Sequence, residues 1–169
     1  MIVINVKSLF FVLSVTAVFL TSACANGVAD SGDKIGSAEP YSLALDELIS
    51  TDTALNENME YISLDLDDQL PLKDSDKQSI EEYLQSKYNV KIYNFTYEQL
   101  IDEGLYDTEK STLKGILLKI EKQEQSDKNN VIIEVSKYRT NEGGLSSKIT
   151  LAYQDGQWKV VNHTPTKES

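Results

Sequence analysis

In 169 residues the chain has one cysteine, one histidine, one arginine and one tryptophan. A single Cys excludes an intrachain disulfide framework. One Cys and one His leave a zinc site, a Cys–His pair or a Ser–His–Asp arrangement starved of parts. Positive charge is also scarce: 16 basic residues stand against 27 acidic ones, for a formal net charge of −11. That argues against nucleic acid as a partner, because a nucleic-acid binder needs a basic surface to displace phosphate counterions.

What is there begins at the amino terminus. Lys7 precedes an apolar run from Leu9 to Leu20. The run has the length of a signal-peptide core and is short for a membrane span, which needs roughly 20 apolar residues. Small residues follow, Thr21-Ser22-Ala23, and then Cys24. This pattern resembles the lipobox of bacterial lipoproteins, with Thr21 where Leu is commonest. The resemblance implies a lipid on the Cys24 thiol and cleavage before it. Two acyl chains meet the requirement for stable anchoring, each buried CH₂ adding about 0.8 kcal/mol. Ala23-Cys24-Ala25 is also a small-x-small site for ordinary signal peptidase, which would release the protein. An uncut membrane anchor is the other alternative. In each case the folded part lies outside the cytoplasm.

The expected organisation is a signal peptide over 1–23, a tether over 24–40 and one domain over 41–169. Removing 23 residues, whose only charge is Lys7, leaves 146 residues and moves the net charge from −11 to −12. Only Phe95 of four Phe remains, with Trp158 and all nine Tyr. The tether is rich in Gly, Ala, Ser and Asp and has no apolar period, as a flexible spacer should be. Residues 24–110 carry 20 acids and 6 lysines, whereas residues 111–169 carry 7 acids and 9 bases. The acidity therefore belongs to the front half.

Ser42 to Ile49 has apolar residues near helical spacing after a Ser that can cap. Residues 61–67 alternate, with Ile62, Leu64 and Leu66 on one face, and Pro71 stops them. Ser75…Gln78 and Thr96…Gln99 read as capping boxes opening two more helices, the second ended by Gly104. Residues 113–123, 131–136, 149–153 and 158–162 alternate as strands, separated by turns at 126–130, at 141–144 and at Asp155-Gly156, a hairpin pair. Helices come first and strands later, which predicts an α+β class. N-terminal helices would pack on a C-terminal four-stranded antiparallel meander.

This order is similar to the cystatin-like and nuclear-transport-factor-like group, in which a curved sheet wraps helices into a cone. The ending Tyr153-Gln154-Asp155-Gly156-Gln157-Trp158-Lys159-Val160-Val161 resembles the last hairpin of many small secreted members. Residues 61–65, 96–100 and 113–122 with that hairpin make the whole chain resemble small lipoproteins of Gram-positive bacteria. The resemblance implies a fold and a location, not an activity.

Candidate chemistry is sparse. Asp65, Asp67 and Asp68 form the densest acidic cluster and are the candidate metal ligands. Their spacing lacks the Gly turn and closing Glu of a calcium loop, and a strand would turn them to solvent. His163 lies near the end of the last strand, where a lone His is expected at the surface. Arg139 is expected in a surface salt bridge. Gly115 and Gly143-Gly144 lack the strand–loop–helix setting of a phosphate loop. Enzymes of the cone group place acids, His or Tyr inside the cone, so Tyr93, Tyr97, Asp102 and Tyr106 are the candidate ligand contacts. The resulting reading is a non-enzymatic, lipid-anchored binding or accessory protein of the cell envelope, without a cofactor. Its partners would be the membrane, through Cys24, and an envelope protein or peptide. The alternatives are a small hydrolase or isomerase with an acid/Tyr pocket, and a structural or immunity-type lipoprotein.

Overall fold

The computed structural model describes residues 36–168 except 52 and 142. The expected signal peptide, Cys24 and the tether as far as residue 35 lie outside the described residues. Helix α1 (Ala38–Thr51) begins before Ser42 and takes in the end of the expected tether. Ala38-Glu39-Pro40 makes a good first turn: Pro needs no N–H there, and the Glu39 carboxylate sits at the positive helix end. Tyr41, Ala44, Leu45, Leu48 and Ile49 recur at helical spacing and are all buried. Fully burying each of the larger ones contributes about 1.5–3 kcal/mol.

A 3-10 turn (Ala54–Asn56) leads to β1 (Tyr61–Asp65). Helix α2 (Asp74–Tyr88) starts before the expected Ser75 cap. Instead the Lys73 backbone N–H donates to Asp76 Oδ2 at 3.2 Å. The helix ends at left-handed Asn89, whose backbone N–H donates to the Gln85 carbonyl at 2.9 Å. Strand β2 (Lys91–Tyr93) follows, then α3 (Tyr97–Asp102). The capping box of α3 forms as the sequence suggested: Thr96 N–H donates to Gln99 Oε1 at 2.9 Å, and Gln99 N–H to Thr96 Oγ1 at 3.4 Å. Strands β3 (Tyr106–Asp107) and β4 (Thr112–Leu113) make a small antiparallel ribbon. Four long strands complete the chain: β5 (Ile116–Asp127), β6 (Asn130–Tyr138), β7 (Gly144–Gln154) and β8 (Gln157–Glu168).

The class is α+β, but the sheet is not a four-stranded antiparallel meander. It is mixed and six-stranded, in the order β2-β1-β5-β6-β7-β8. β5 to β8 form the expected meander. β1 runs parallel to both β5 and β2, which adds two strands to that edge. Gly115 explains how β1 fits. A Cβ there would lie 2.2 Å from the Tyr61 carbonyl oxygen, so only Gly allows the backbones to approach so closely. Glu60 N–H donates to the Lys114 carbonyl at 2.9 Å beside it.

The register puts Ile62, Leu64, Ile116 and Leu118 on one face with Val131, Ile133, Val135, Ile149 and Leu151. Helices α1 and α2 cover that face and close the main core. On the opposite face a smaller cluster lies toward β1, where Tyr61 and Leu117 meet Leu100 of α3 and Leu113 of β4. The last hairpin turns through Asp155 and Gly156, both with positive φ (55° and 84°), the two-residue turn whose twist suits paired strands.

Candidate functional site

A cleft of about 460 Å³ opens where the β3–β4 ribbon meets the turn that follows the 3-10 helix. Glu57, Asn58 and Glu60 form one wall, and Asp107, Lys110 and Thr112 the other. Lys114 and Arg139, at the end of β6, close it. The walls are pinned together. Leu113 N–H and the Thr112 hydroxyl donate to the Arg139 carbonyl at 2.8 and 3.1 Å. The hydroxyl of Tyr61 and the backbone N–H of Lys114 both reach the Leu105 carbonyl, at 2.9 and 3.1 Å. Burial pushes the Tyr61 phenol up to about 12, so it stays a donor.

Arg139 is the centre of this cleft, and the expected surface salt bridge is absent. Among the described residues no carboxylate pairs with it. Its Nε donates to the Leu113 carbonyl at 3.3 Å, and Nη1 to the carbonyls of Leu55 at 3.0 Å and Glu57 at 2.5 Å. The side chain is thereby oriented by three neutral acceptors, while the two Nη2 N–H groups make no hydrogen bond with described residues. Lys114 Nζ likewise meets only a carbonyl, that of Gly104 at 3.0 Å. Asp107 is engaged: its Oδ1 accepts from the backbone N–H groups of Lys110 and Glu109, which hold its carboxyl below the usual range, and Lys110 Nζ stands 3.6 Å from Oδ2. The carboxylates of Glu57 and Glu60 have no cationic or hydrogen-bonding partner among the described residues.

A second polar constellation lies between α1 and the sheet. His163 Nδ1 is 3.1 Å from Glu47 Oε1, and Nε2 is 2.9 Å from Ser147 Oγ. His163 is half-buried, contrary to the surface position expected for it. The connectivity is that of an acid–His–Ser relay, but Ser147 is 3% exposed beneath α1, and none of the three borders the cavities described. A nucleophile needs space for a substrate carbonyl. The relay instead ties α1 to β7 and β8.

The other sequence candidates fall elsewhere. Tyr93 stacks on Phe95 at 5.3 Å and meets Tyr61 edge-on at 5.4 Å. Tyr97 meets Tyr106 edge-on at 6.4 Å. All three candidate tyrosines thus pack in the smaller cluster beside α3. Asp102 is exposed at the end of α3, apart from them. Tyr97 also borders a groove of about 290 Å³ on the outer sheet face with Tyr138, Lys119 and Glu121. There the charges are matched internally: Lys119 pairs with Asp65 at 2.7 Å, and Glu121 accepts from Ser136. The acidic cluster is similarly occupied. Asp68 pairs with Lys77 at 2.8 Å, a hydrogen bond that lowers the Asp68 pKa and raises that of Lys77. Asp67 accepts from the Gln69 N–H at 2.8 Å. Among the described residues no group of three metal-ligating side chains comes together.

Reasoning from the sequence passed over the cleft. Its one available signal was that Arg139 is the only arginine. No family model, curated protein or solved structure matches this chain. The case for a function therefore rests on the cleft's own geometry and charge.

Proposed function

We propose that this chain is a lipid-anchored binding domain on the outer face of the cell membrane, held through Cys24 and specialised for recognition rather than catalysis. The observation that carries the binding reading is the cleft around Arg139. Its backbone is fastened on every side, yet it presents cations without acids and acids without cations. Polar groups held rigidly and left unmatched are what a ligand site needs. The anchoring half rests on the lipobox-like Thr21-Ser22-Ala23-Cys24 after an apolar run. We also read the sheet as a wrapped, cone-like layer of the cystatin type. Register shifts in β5 and in the β7–β8 pair support this, because bulges bend and twist strands, and α1 packs across β6, β7 and β8.

Two experiments test the reading. Radiolabelled palmitate should enter the wild-type protein in cells and not Cys24→Ala; label retained by the variant would overturn anchoring at this residue. The full chain in detergent, melted against a library of small polar metabolites, should be stabilised by some of them, since a ligand binding only the folded state raises its melting temperature. A library with no stabilising compound would overturn the binding reading.

A further inference from the structure

We propose that the cleft binds a small zwitterion, taking its carboxylate on Arg139 and Lys114 and its ammonium on Glu57 and Glu60. This rests on the binding reading above and names its ligand class. Three cavities among the described residues can be compared by how their charges are satisfied. In the groove beside Tyr97, Lys119 and Glu121 have protein partners. In the hollow beside Asp68, the ion pair with Lys77 is made and Asn94 donates to Glu81 at 2.9 Å. Of these three, the one around Arg139 is where unmatched charges of both signs among the described residues border one space.

That pattern selects a ligand. An anion alone would satisfy Arg139 and Lys114 but face the repulsion of Glu57 and Glu60. A cation alone would meet the reverse problem. A molecule carrying both charges satisfies both pairs, and complementarity of this kind discriminates against wrong partners. The Arg139 guanidinium is suited to the carboxylate. Three backbone carbonyls take the Nε and Nη1 donors and hold the orientation, leaving the two N–H groups of Nη2 to donate to a carboxylate oxygen. Those carbonyls neutralise none of its charge. The volume, about 460 Å³, lies within the roughly 300–1,000 Å³ range of small-molecule sites. Leu113 is the one aliphatic side chain at the site and is itself fully buried, so a ligand gains little from apolar contact. The class is therefore small and polar, that of amino acids and dipeptides. Both rims carry non-Gly residues at positive φ, Asn58 at 52° and Ser111 at 54°. Such strain is retained where the surroundings over-determine it.

The test uses the full chain in detergent and glycylglycine as probe, with affinities from calorimetric titration. N-Acetylglycylglycine lacks the ammonium and glycylglycinamide lacks the carboxylate. Glycylglycine should bind, and each blocked analogue should bind about tenfold more weakly or worse, as expected when a hydrogen bond to a charged group is lost. Arg139→Gln and Lys114→Gln should weaken glycylglycine but not glycylglycinamide. Arg139 also ties three segments together, so that variant can fail to fold. The double variant Glu57→Gln/Glu60→Gln removes no hydrogen bond or ion pair between described residues; it should weaken glycylglycine by about tenfold and strengthen the acetylated analogue by relieving its repulsion. Inorganic phosphate or the acetylated analogue binding as tightly as glycylglycine would make this an anion site and overturn the proposal. So would glycylglycinamide binding as tightly, or no binding of glycylglycine at all. The metabolite library distinguishes the two levels: stabilising compounds that are all non-zwitterionic sink the ligand class and spare the binding reading, whereas an empty library sinks both.

Discussion

Asp46 concentrates more polar contacts than any alternation or motif in the sequence advertises. Its carboxylate lies 2.5 Å from Lys87 Nζ and accepts from the hydroxyls of Tyr88 at 2.6 Å and Tyr83 at 3.2 Å, joining α1 to α2. The hydrogen bond from Lys87 raises that amine's pKa. Replacing Asp46 by Asn should leave two half-buried phenols poorly matched and cost about 2 kcal/mol in urea unfolding. Lys87→Ala should cost under about 1 kcal/mol, because that amine is largely solvated. His163 is the second residue at which the fold overruled expectation. Near the chain terminus a lone His reads as surface, yet it spans Glu47 and Ser147. Substituting Phe should cost about 1–3 kcal/mol by stranding both neighbours. A fluorophosphonate should leave Ser147 unmodified, as judged by mass spectrometry of the intact protein. Labelling at Ser147 would make the relay catalytic and revive the hydrolase alternative.

At the scale of elements, alternation and turn chemistry made β5 to β8 legible, as did the capping box that opens α3. The Asp155-Gly156 pair fixed a register because few residues adopt two successive positive φ values. The Ser75 box failed for a physical reason: Asp76 caps the backbone of Lys73 two residues earlier, so Ser75 is already inside α2. The partner of β1 was not legible at all. A five-residue alternating strand pairs equally well at many edges, and its place beside β5 depends on the missing side chain at Gly115. Gly115→Ala should therefore separate β1 from β5, lowering stability by about 3 kcal/mol in urea unfolding and loosening the near-ultraviolet signal of Tyr61 and Tyr93. An unchanged midpoint would refute the close-approach account. The same insertion positions the cleft, since the Glu57–Glu60 turn enters the sheet through β1 and Lys114 precedes Gly115.

For the whole molecule, tyrosine supplies most of the aromatic side chains among the described residues, and this has a consequence in alkali. Burial raises the phenol pKa of Tyr61 to about 12 and also raises those of Tyr83, Tyr88 and Tyr97; charge on Asp46 adds to the effect at Tyr83 and Tyr88. A raised folded-state pKa means that the unfolded chain loses these protons first. Their contribution is fully present below about pH 10, the ordinary tyrosine value, and is lost as pH rises toward the folded values. Melting temperature should therefore be flat from about pH 7 to 9 and fall above about pH 10, and Tyr61→Phe should make that fall shallower. The sequence by itself determined the α+β class, the four consecutive antiparallel strands, the acidic front half and the expectation of a lipid at Cys24. Each of these is local: a spacing, a turn pair, a sum of charges, a short motif. Only the tertiary structure decided the six-stranded sheet, the buried setting of His163 and the cleft around Arg139. Those bring together groups from distant parts of the chain, Glu57 with Lys114 and Arg139, Glu47 with Ser147 and His163. No short-range pattern encodes which unpaired charges will end up facing one another.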